Sequence, residues 1–220
     1  MSNAMTQDVT HGATATGERA RVKVCGVTTV GDAELCVVEG ADAIGLNFWS
    51  GSPRCCDVPT ARRIVDAVGA HTLVVGVFVD ETAQQIVDIM QRAGVACAQL
   101  HGDESPSLLE GLLPHAYKAL RVRGPQTIDE ARTYGGKYLL LDSYVPGLVG
   151  GTGAVADWDV AAAIASTRRV VLAGGLRAEN VAAAIAAVRP WCVDVASGVE
   201  QRPGVKDPLL VREFIQQVGA

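Results

Sequence analysis

Arg21-Val22-Lys23-Val24-Cys25-Gly26 is a short aliphatic run with a lysine at its centre, closed by a cysteine and a glycine. In an extended chain Val22 and Val24 fall on one face and Lys23 and Cys25 on the other. This predicts a strand whose valines meet a covering layer of helices while a charged and a nucleophilic group share the opposite face. The run is the first of eight, the others being Asp42–Phe48, Thr72–Val79, Val95–Leu100, Tyr117–Val122, Tyr138–Asp142, Arg169–Ala173 and Trp191–Val195. Helical patterns fill the gaps: Ile86, Ile89, Met90 and Ala93 recur at helical period, and Asp207 with Pro208 opens a last helix bearing Leu210, Phe214 and Val218. Eight strand-helix units of about 25 residues predict an α/β fold, a closed (β/α)8 or TIM barrel. An open doubly wound sheet usually has fewer strands, and no Gly-x-Gly-x-x-Gly follows the first one.

The composition agrees. Hydrophobic residues make up 49% of the 220 but aromatic ones only 5%, so valine, alanine, leucine and isoleucine must build the core, as suits parallel strands covered on both faces. One domain is expected over 21–220, preceded by a polar, disordered tail over 1–20 that includes a cloning remnant before a native start at Met5. The net charge of −5 and the absence of any basic block argue against nucleic acid or an anionic membrane as partner. No apolar run approaches the roughly 18 residues of a membrane span, and no signal peptide opens the chain, so a cytoplasmic location is expected. Six cysteines form no Cys-x-x-Cys pair and no metal-type spacing with the four histidines. Free thiols and no metal site follow.

Closure of a barrel directs attention to the carboxyl ends of its strands, where such folds carry their chemistry. Those ends present Cys25-Gly26, then Asn47 to Arg54, Asp80, His101-Gly102-Asp103, Arg121, Asp142, Gly174-Gly175 and Ser197-Gly198. Glycine turns after strands seven and eight stand where such barrels hold a phosphate on backbone N–H groups. The loops after strands three and four carry Asp80, Glu81, Asp103 and Glu104, which would repel one, so a single phosphate is expected. Asp142 closes an apolar strand and can serve as an acid or base. Arg54 offers a planar fork suited to a carboxylate or phosphate. His101 is read as a structural histidine in support of the site, with no proton-transfer role. Cys55 and Cys56 read as packing or loop residues.

The ordered set "KVCGVT", "GLNFWSGSPR", "VGVFVD", "QLHGDE", "LLLD", "GGTG" with "DW", "LAGGLRAENV" and "DVASGVE" with "PGVKD" resembles the phosphoribosylanthranilate isomerase family, from about Val22 to Asp207. The resemblance implies a cofactor-free Amadori rearrangement of a phosphorylated small molecule, N-(5-phosphoribosyl)anthranilate, in tryptophan biosynthesis. It implies Cys25 as general base, Asp142 as general acid, Arg54 as the holder of the anthranilate carboxylate, and Gly174, Gly175, Ser197 and Gly198 as the phosphate turns. Ala156 and Ala196 depart from the family pattern, which usually has phenylalanine at the first position and often serine at the second; binding affinity, rather than reaction type, is the property they put in question.

These roles need Asp142 protonated and Cys25 ionised, the reverse of their ordinary order of acidity. Lys23 shares its face with Cys25, so an inward lysine beside the thiol is expected to lower the cysteine's pKa. A buried lysine needs a partner, and Asp194 on strand eight, the neighbour of strand one in a closed ring, is the expected one. The alternatives are a related isomerase of the histidine pathway, or a dual-substrate version, and a non-catalytic barrel that only binds a phosphorylated metabolite. A metal-dependent epimerase is disfavoured because the strand ends gather too few histidines. Either a monomer or a homodimer fits the sequence.

Overall fold

The computed structural model describes residues 19–142 and 154–219, with the side chains of 154–157 left aside. Residues 1–18 of the expected tail, residues 143–153 after Asp142 and the side chain of Ala156 therefore lie outside the described residues, whereas Arg19, within the expected tail, pairs with Asp42 at 3.3 Å and Ala20 packs against the core.

Eight parallel strands close into a barrel in sequence order. They are β1 Arg21–Cys25, β2 Ala43–Asn47, β3 Leu73–Phe78, β4 Cys97–Leu100, β5 Ala116–Arg121, β6 Tyr138–Asp142, β7 Arg169–Ala173 and β8 Cys192–Val195. Ring closure is explicit in the register, where Lys23 pairs with Ala43 of β2 on one side and with Asp194 of β8 on the other. Helices α1 Val30–Glu39, α2 Val58–Val68, α3 Ala83–Ala93, α4 Pro106–Leu112, α5 Gln126–Thr133, α6 Ala154–Ala165, α7 Ala178–Val188 and α8 Pro208–Val218 follow the strands in turn. After β8 comes a single 3-10 turn, Ser197–Val199, then a small antiparallel hairpin of β9 Glu200–Arg202 and β10 Val205–Lys206.

Local chemistry sets the helix ends. Thr29, Asp57, Thr82, Ser105 and Asp207 each accept an N–H of the first turn with their side chain. Gln85 completes a capping box on α3. β3 starts at Leu73 rather than Thr72, because the Thr72 N–H closes α2 on Val68 O and its hydroxyl donates to Ala41 O.

Val22 and Val24 are fully buried in the layer between strands and helices, together with Ile44, Leu46, Leu139, Val170 and Phe214. The barrel interior is lined by Val75, Cys97, Ala119, Leu140, Val171 and Cys192, with Tyr117 as its large side chain. Into it project two charged residues at 2% and 7% exposure, Lys23 and Asp194. Among the described residues no helix is long and apolar enough to cross a membrane.

Candidate active site

The site grows from the carboxyl end of β1. Lys23 Nζ lies 2.9 Å from Asp194 Oδ2, a pair that ring closure makes and burial makes strong. Burial disfavours the ammonium, yet the attraction of Asp194 and then of Cys25 outweighs it and raises the Lys23 pKa. Cys25, one strand step toward the mouth and half-buried, shares this corner. Gly45 of β2 makes the room: a Cβ there would lie 2.7 Å from Cys25 Sγ and 3.0 Å from Lys23 Nζ.

The lysine does not leave the thiol acidic. Burial raises the Cys25 pKa above its ordinary 9.0, and although Lys23 and Lys206 pull it down, Asp194 opposes them. The expectation of a lowered pKa is therefore corrected: desolvation outweighs the pull of Lys23, which Asp194 also opposes.

Arg54 sits in the β2–α2 loop and crosses over Gly26. Gly26 has φ +74°, and a Cβ there would approach Arg54 Cδ to 2.5 Å. The glycine thus makes room for the arginine as well as for the turn. The Arg54 fork closes on Glu200, with Nε 2.9 Å from Oε1 and Nη2 2.6 Å from Oε2. Its Nη1 makes no hydrogen bond among the described residues, and the side chain is 23% exposed.

Across the mouth, Asp142 ends β6 beside Arg121 of β5, its partner in register. His101 Nε2 stands 3.7 Å from Asp142 Oδ2, an electrostatic contact longer than a hydrogen bond. Gln99 orients the imidazole: its Oε1 accepts from the Tyr117 hydroxyl at 2.9 Å and its Nε2 lies 2.8 Å from His101 Nδ1. That arrangement fixes the ring so that Nε2 faces Asp142.

The two glycine turns meet. Gly174 and Gly175 have φ of +98° and +63°, and a Cβ on Gly198 would fall 2.0 Å from Leu176 O, so the strand-seven and strand-eight loops touch through backbone. The N–H groups of Gly174, Gly175 and Ser197 donate to no other described residue. An anion placed there would meet unengaged donors.

A protein-family model described as N-(5'phosphoribosyl)anthranilate (PRA) isomerase matches residues 22–217. The N-(5'-phosphoribosyl)anthranilate isomerase of Myxococcus xanthus is 46% identical over 201 residues, which cover 89% of this chain and 94% of that protein. The chain belongs to this family. The isomerase of Pelobacter propionicus is 42% identical over 196 residues, covering 89% and 94%. Among solved structures, the Thermotoga maritima phosphoribosyl anthranilate isomerase superimposes with a TM-score of 0.82 at 37% identity over 91% of this chain and 98% of that one. A second isomerase structure, a complex with reduced 1-(o-carboxyphenylamino)-1-deoxyribulose 5-phosphate, gives 0.80 at 35% identity over 91% and 98%.

Within this isomerase fold the candidates form two clusters, one at β1, β2, β7 and β8 with the hairpin, the other at β4 to β6. β1 and β6 are three apart around the ring, so Cys25 and Asp142 flank the mouth from different sides. A cavity of about 920 Å³, lined by Arg21, Asp42, His71 and Trp191 among others, opens at the opposite, amino-terminal end. None of the strand-end groups reaches it, and the chemistry assigns the site to the other face. Among the described residues no cluster of histidine, cysteine and carboxylate could hold a metal. All six cysteines are free thiols, Cys55 exposed and Cys56 buried.

Sequence reasoning gave no role to Gly45, Gln99, Glu200 or Lys206. Gly45 and Gln99 read as ordinary strand residues, and only the three-dimensional register gives them their neighbours. Glu200 and Lys206 had a legible signal, because Pro203-Gly204 between them is a turn dipeptide that folds the flanking charges into cross-strand register. Burial works against the Glu200 carboxylate, but hydrogen bonds from Arg54 and Lys206 together overcome it and lower its pKa.

Proposed function

We propose that this chain is a phosphoribosylanthranilate isomerase of tryptophan biosynthesis in which Cys25 is the general base and Asp142 the general acid. The observation that carries the assignment is their placement at the ends of β1 and β6, on either side of one mouth whose β7 and β8 turns offer backbone donors to a phosphate.

Asp142 delivers its proton to the ribose ring oxygen as the C1′–O4′ bond breaks, and the anthranilate nitrogen lone pair forms the C=N bond of an iminium. Cys25 as thiolate removes the C2′ proton, and the electron pair of that C–H bond becomes the C1′=C2′ bond of an enolamine. Tautomerisation moves the C2′ hydroxyl proton away and places one on C1′, giving the ketone with no net loss of atoms. Every step moves protons and none requires an electron acceptor. Arg54 holds the anthranilate carboxylate, and Gly174, Gly175, Ser197 and Gly198 hold the phosphate.

Because the resting thiol is protonated, the working pair is the tautomer in which the Cys25 proton has moved to Asp142. Thiol plus carboxylate and thiolate plus acid carry the same total charge. The active fraction is then small but constant between the two pKa values, each unit of separation lowering it about tenfold. The expected pH profile of kcat/KM falls on the alkaline side, once the raised Cys25 pKa is passed and the pair has lost its shared proton.

The strand-three and strand-four ends support a one-phosphate substrate. Glu104 already accepts the N–H groups of Asp80 and Gly102, each at 3.0 Å, and the Lys118 ammonium at 2.9 Å. A substrate with a second phosphate would find those donors engaged and carboxylates in the way.

Loss of phosphoribosylanthranilate fluorescence measures turnover. Cys25→Ala and Asp142→Asn are each expected to lower kcat by about 10²–10⁴-fold. Unchanged turnover in Cys25→Ala would remove the cysteine from the mechanism, and an inactive wild type would reject the isomerase reading.

A further inference from the structure

Lys206 is buried to 2% exposure, and its ammonium does three things at once. It donates to the Cys25 carbonyl at 2.7 Å, to the Ala196 carbonyl at 3.3 Å and to Glu200 Oε1 at 2.9 Å. The Glu200 carboxylate is used on both oxygens: Oε1 accepts from Lys206, Arg54 Nε and, at 3.2 Å, Gly204 N, while Oε2 accepts from Arg54 Nη2 and Nε. The Glu200 side chain is 3% exposed, so these partners rather than water define its position.

We propose that Glu200 and Lys206 are positioning residues for the isomerase reaction: they lock the plane of the Arg54 guanidinium so that its free edge meets the substrate carboxylate, and they tie that arginine to the strand end bearing Cys25. The inference rests on the assignment of Arg54 to the anthranilate carboxylate.

A long arginine side chain loses rotamer freedom when it binds an anion, and fixing it beforehand leaves less to lose. The bidentate contact with Glu200 fixes the fork, and the remaining N–H groups, including both on Nη1, point away from that carboxylate. Charge fits the same role. Lys206 and Arg54 carry two positive charges against one negative on Glu200, so the triad keeps one net positive charge for a carboxylate ligand. Because Lys206 also holds the Cys25 carbonyl, the hairpin sets the spacing between the group that binds the aromatic acid and the group that takes the C2′ proton.

Two competitive inhibitors separate this role from general loosening of the site: reduced 1-(o-carboxyphenylamino)-1-deoxyribulose 5-phosphate and the analogue in which phenyl replaces carboxyphenyl. The wild type is expected to prefer the carboxylated compound by roughly ten- to a hundredfold, the usual worth of a charge-assisted hydrogen-bond pair. In Glu200→Gln the preference is expected to fall to about threefold or less, with KM raised about tenfold and kcat changed far less. Glu200→Asp keeps the charge and is expected to recover part of the preference. Lys206→Met keeps the aliphatic stem, reports on the second residue, and tests the idea independently if Glu200→Gln does not fold. A preference that stays at the wild-type value in folded Glu200→Gln or Lys206→Met overturns the inference, as does equal weakening of both inhibitors. A wild type without any preference would instead reject the Arg54 assignment.

Discussion

The ends of β4 and β8 lie four strands apart on the ring, directly opposite one another, and both carry a buried lysine-glutamate pair with a separation of 2.9 Å. At the β4 end Lys118 donates to Leu100 O, Gly102 O and Glu104; at the β8 end Lys206 donates to Cys25 O, Ala196 O and Glu200. The lysines do the same work, tying strand-end carbonyls together. The glutamates do not. Glu104 turns its remaining acceptors onto backbone N–H groups of Asp80 and Gly102, and the network closes on itself. Glu200 turns its acceptors onto Arg54, whose other edge remains available. One side of the barrel mouth is thus sealed as framework, and the other extends the same motif by one residue into a binding arm. The difference teaches that a buried ion pair has no functional meaning by itself; what the carboxylate's second face touches decides it.

If the β4 pair is framework, breaking it should cost stability above all. Lys118→Met leaves the Glu104 carboxylate buried without its ammonium, and the expected loss is about 3–5 kcal/mol in urea unfolding. KM of the folded fraction is expected to stay within about twofold. A large rise in KM with little change in stability would show that the β4 end also serves the substrate, and the contrast between the ends would fail.

Much of this was legible before any coordinates. Eight aliphatic runs at even spacing specify the barrel because parallel strands buried on both faces must be continuous apolar segments, and closure alone makes β8 the neighbour of β1, from which Lys23 and Asp194 follow. The strand-end rule then reaches Cys25, Asp142 and the glycine turns. The sign of the Cys25 pKa shift was out of reach, because it depends on how deeply the thiol is buried and on how Asp194 opposes Lys23, neither of which the strand pattern shows. Glu104 was read only as a carboxylate that repels phosphate; that its charge is spent on internal N–H groups needs the path of the loop. Arg54 could be named from its motif, while its bond to Glu200, 146 residues away, could not.

The same methyl group added at each end gives a second test. At Gly102 a Cβ would lie 2.2 Å from Asp80 Oδ1 and 2.7 Å from Asp80 N, so backbone must move. Gly102→Ala is expected to lower stability by about 1–3 kcal/mol with KM little changed. At Gly26 the Cβ would meet the Arg54 stem, and the positive φ adds a cost of about 1 kcal/mol. Gly26→Ala is expected to displace the arginine and raise KM several-fold, reducing the preference for the carboxylated inhibitor. Equal effects of the two alanines on KM would erase the distinction between framework and arm.

The smallest effect probes the sealed end directly. If the Glu104 carboxylate fills a nest of N–H groups and an ammonium suited to an anion, Glu104→Ala empties that nest while its donors remain. Sulfate should then replace the lost carboxylate. At about ten times its dissociation constant it would return about 1.4 kcal/mol, a rise of about 3–6 °C in Tm for a domain of this size. Sulfate will also raise the wild-type Tm, through the β7 and β8 turns and by general exclusion from protein surface, so the informative quantity is the excess rise of Glu104→Ala over wild type, each measured against chloride at equal ionic strength. Glu104→Gln, which fills the space without the charge, is expected to show little excess. An excess in Glu104→Ala alone means that the donors at the β4 end are fit for an anion and are kept from one by a single side chain. The same rise in all three proteins would mean that the nest is too distorted without Glu104 to act as a site, and that the two ends differ in architecture as well as in what their glutamates face.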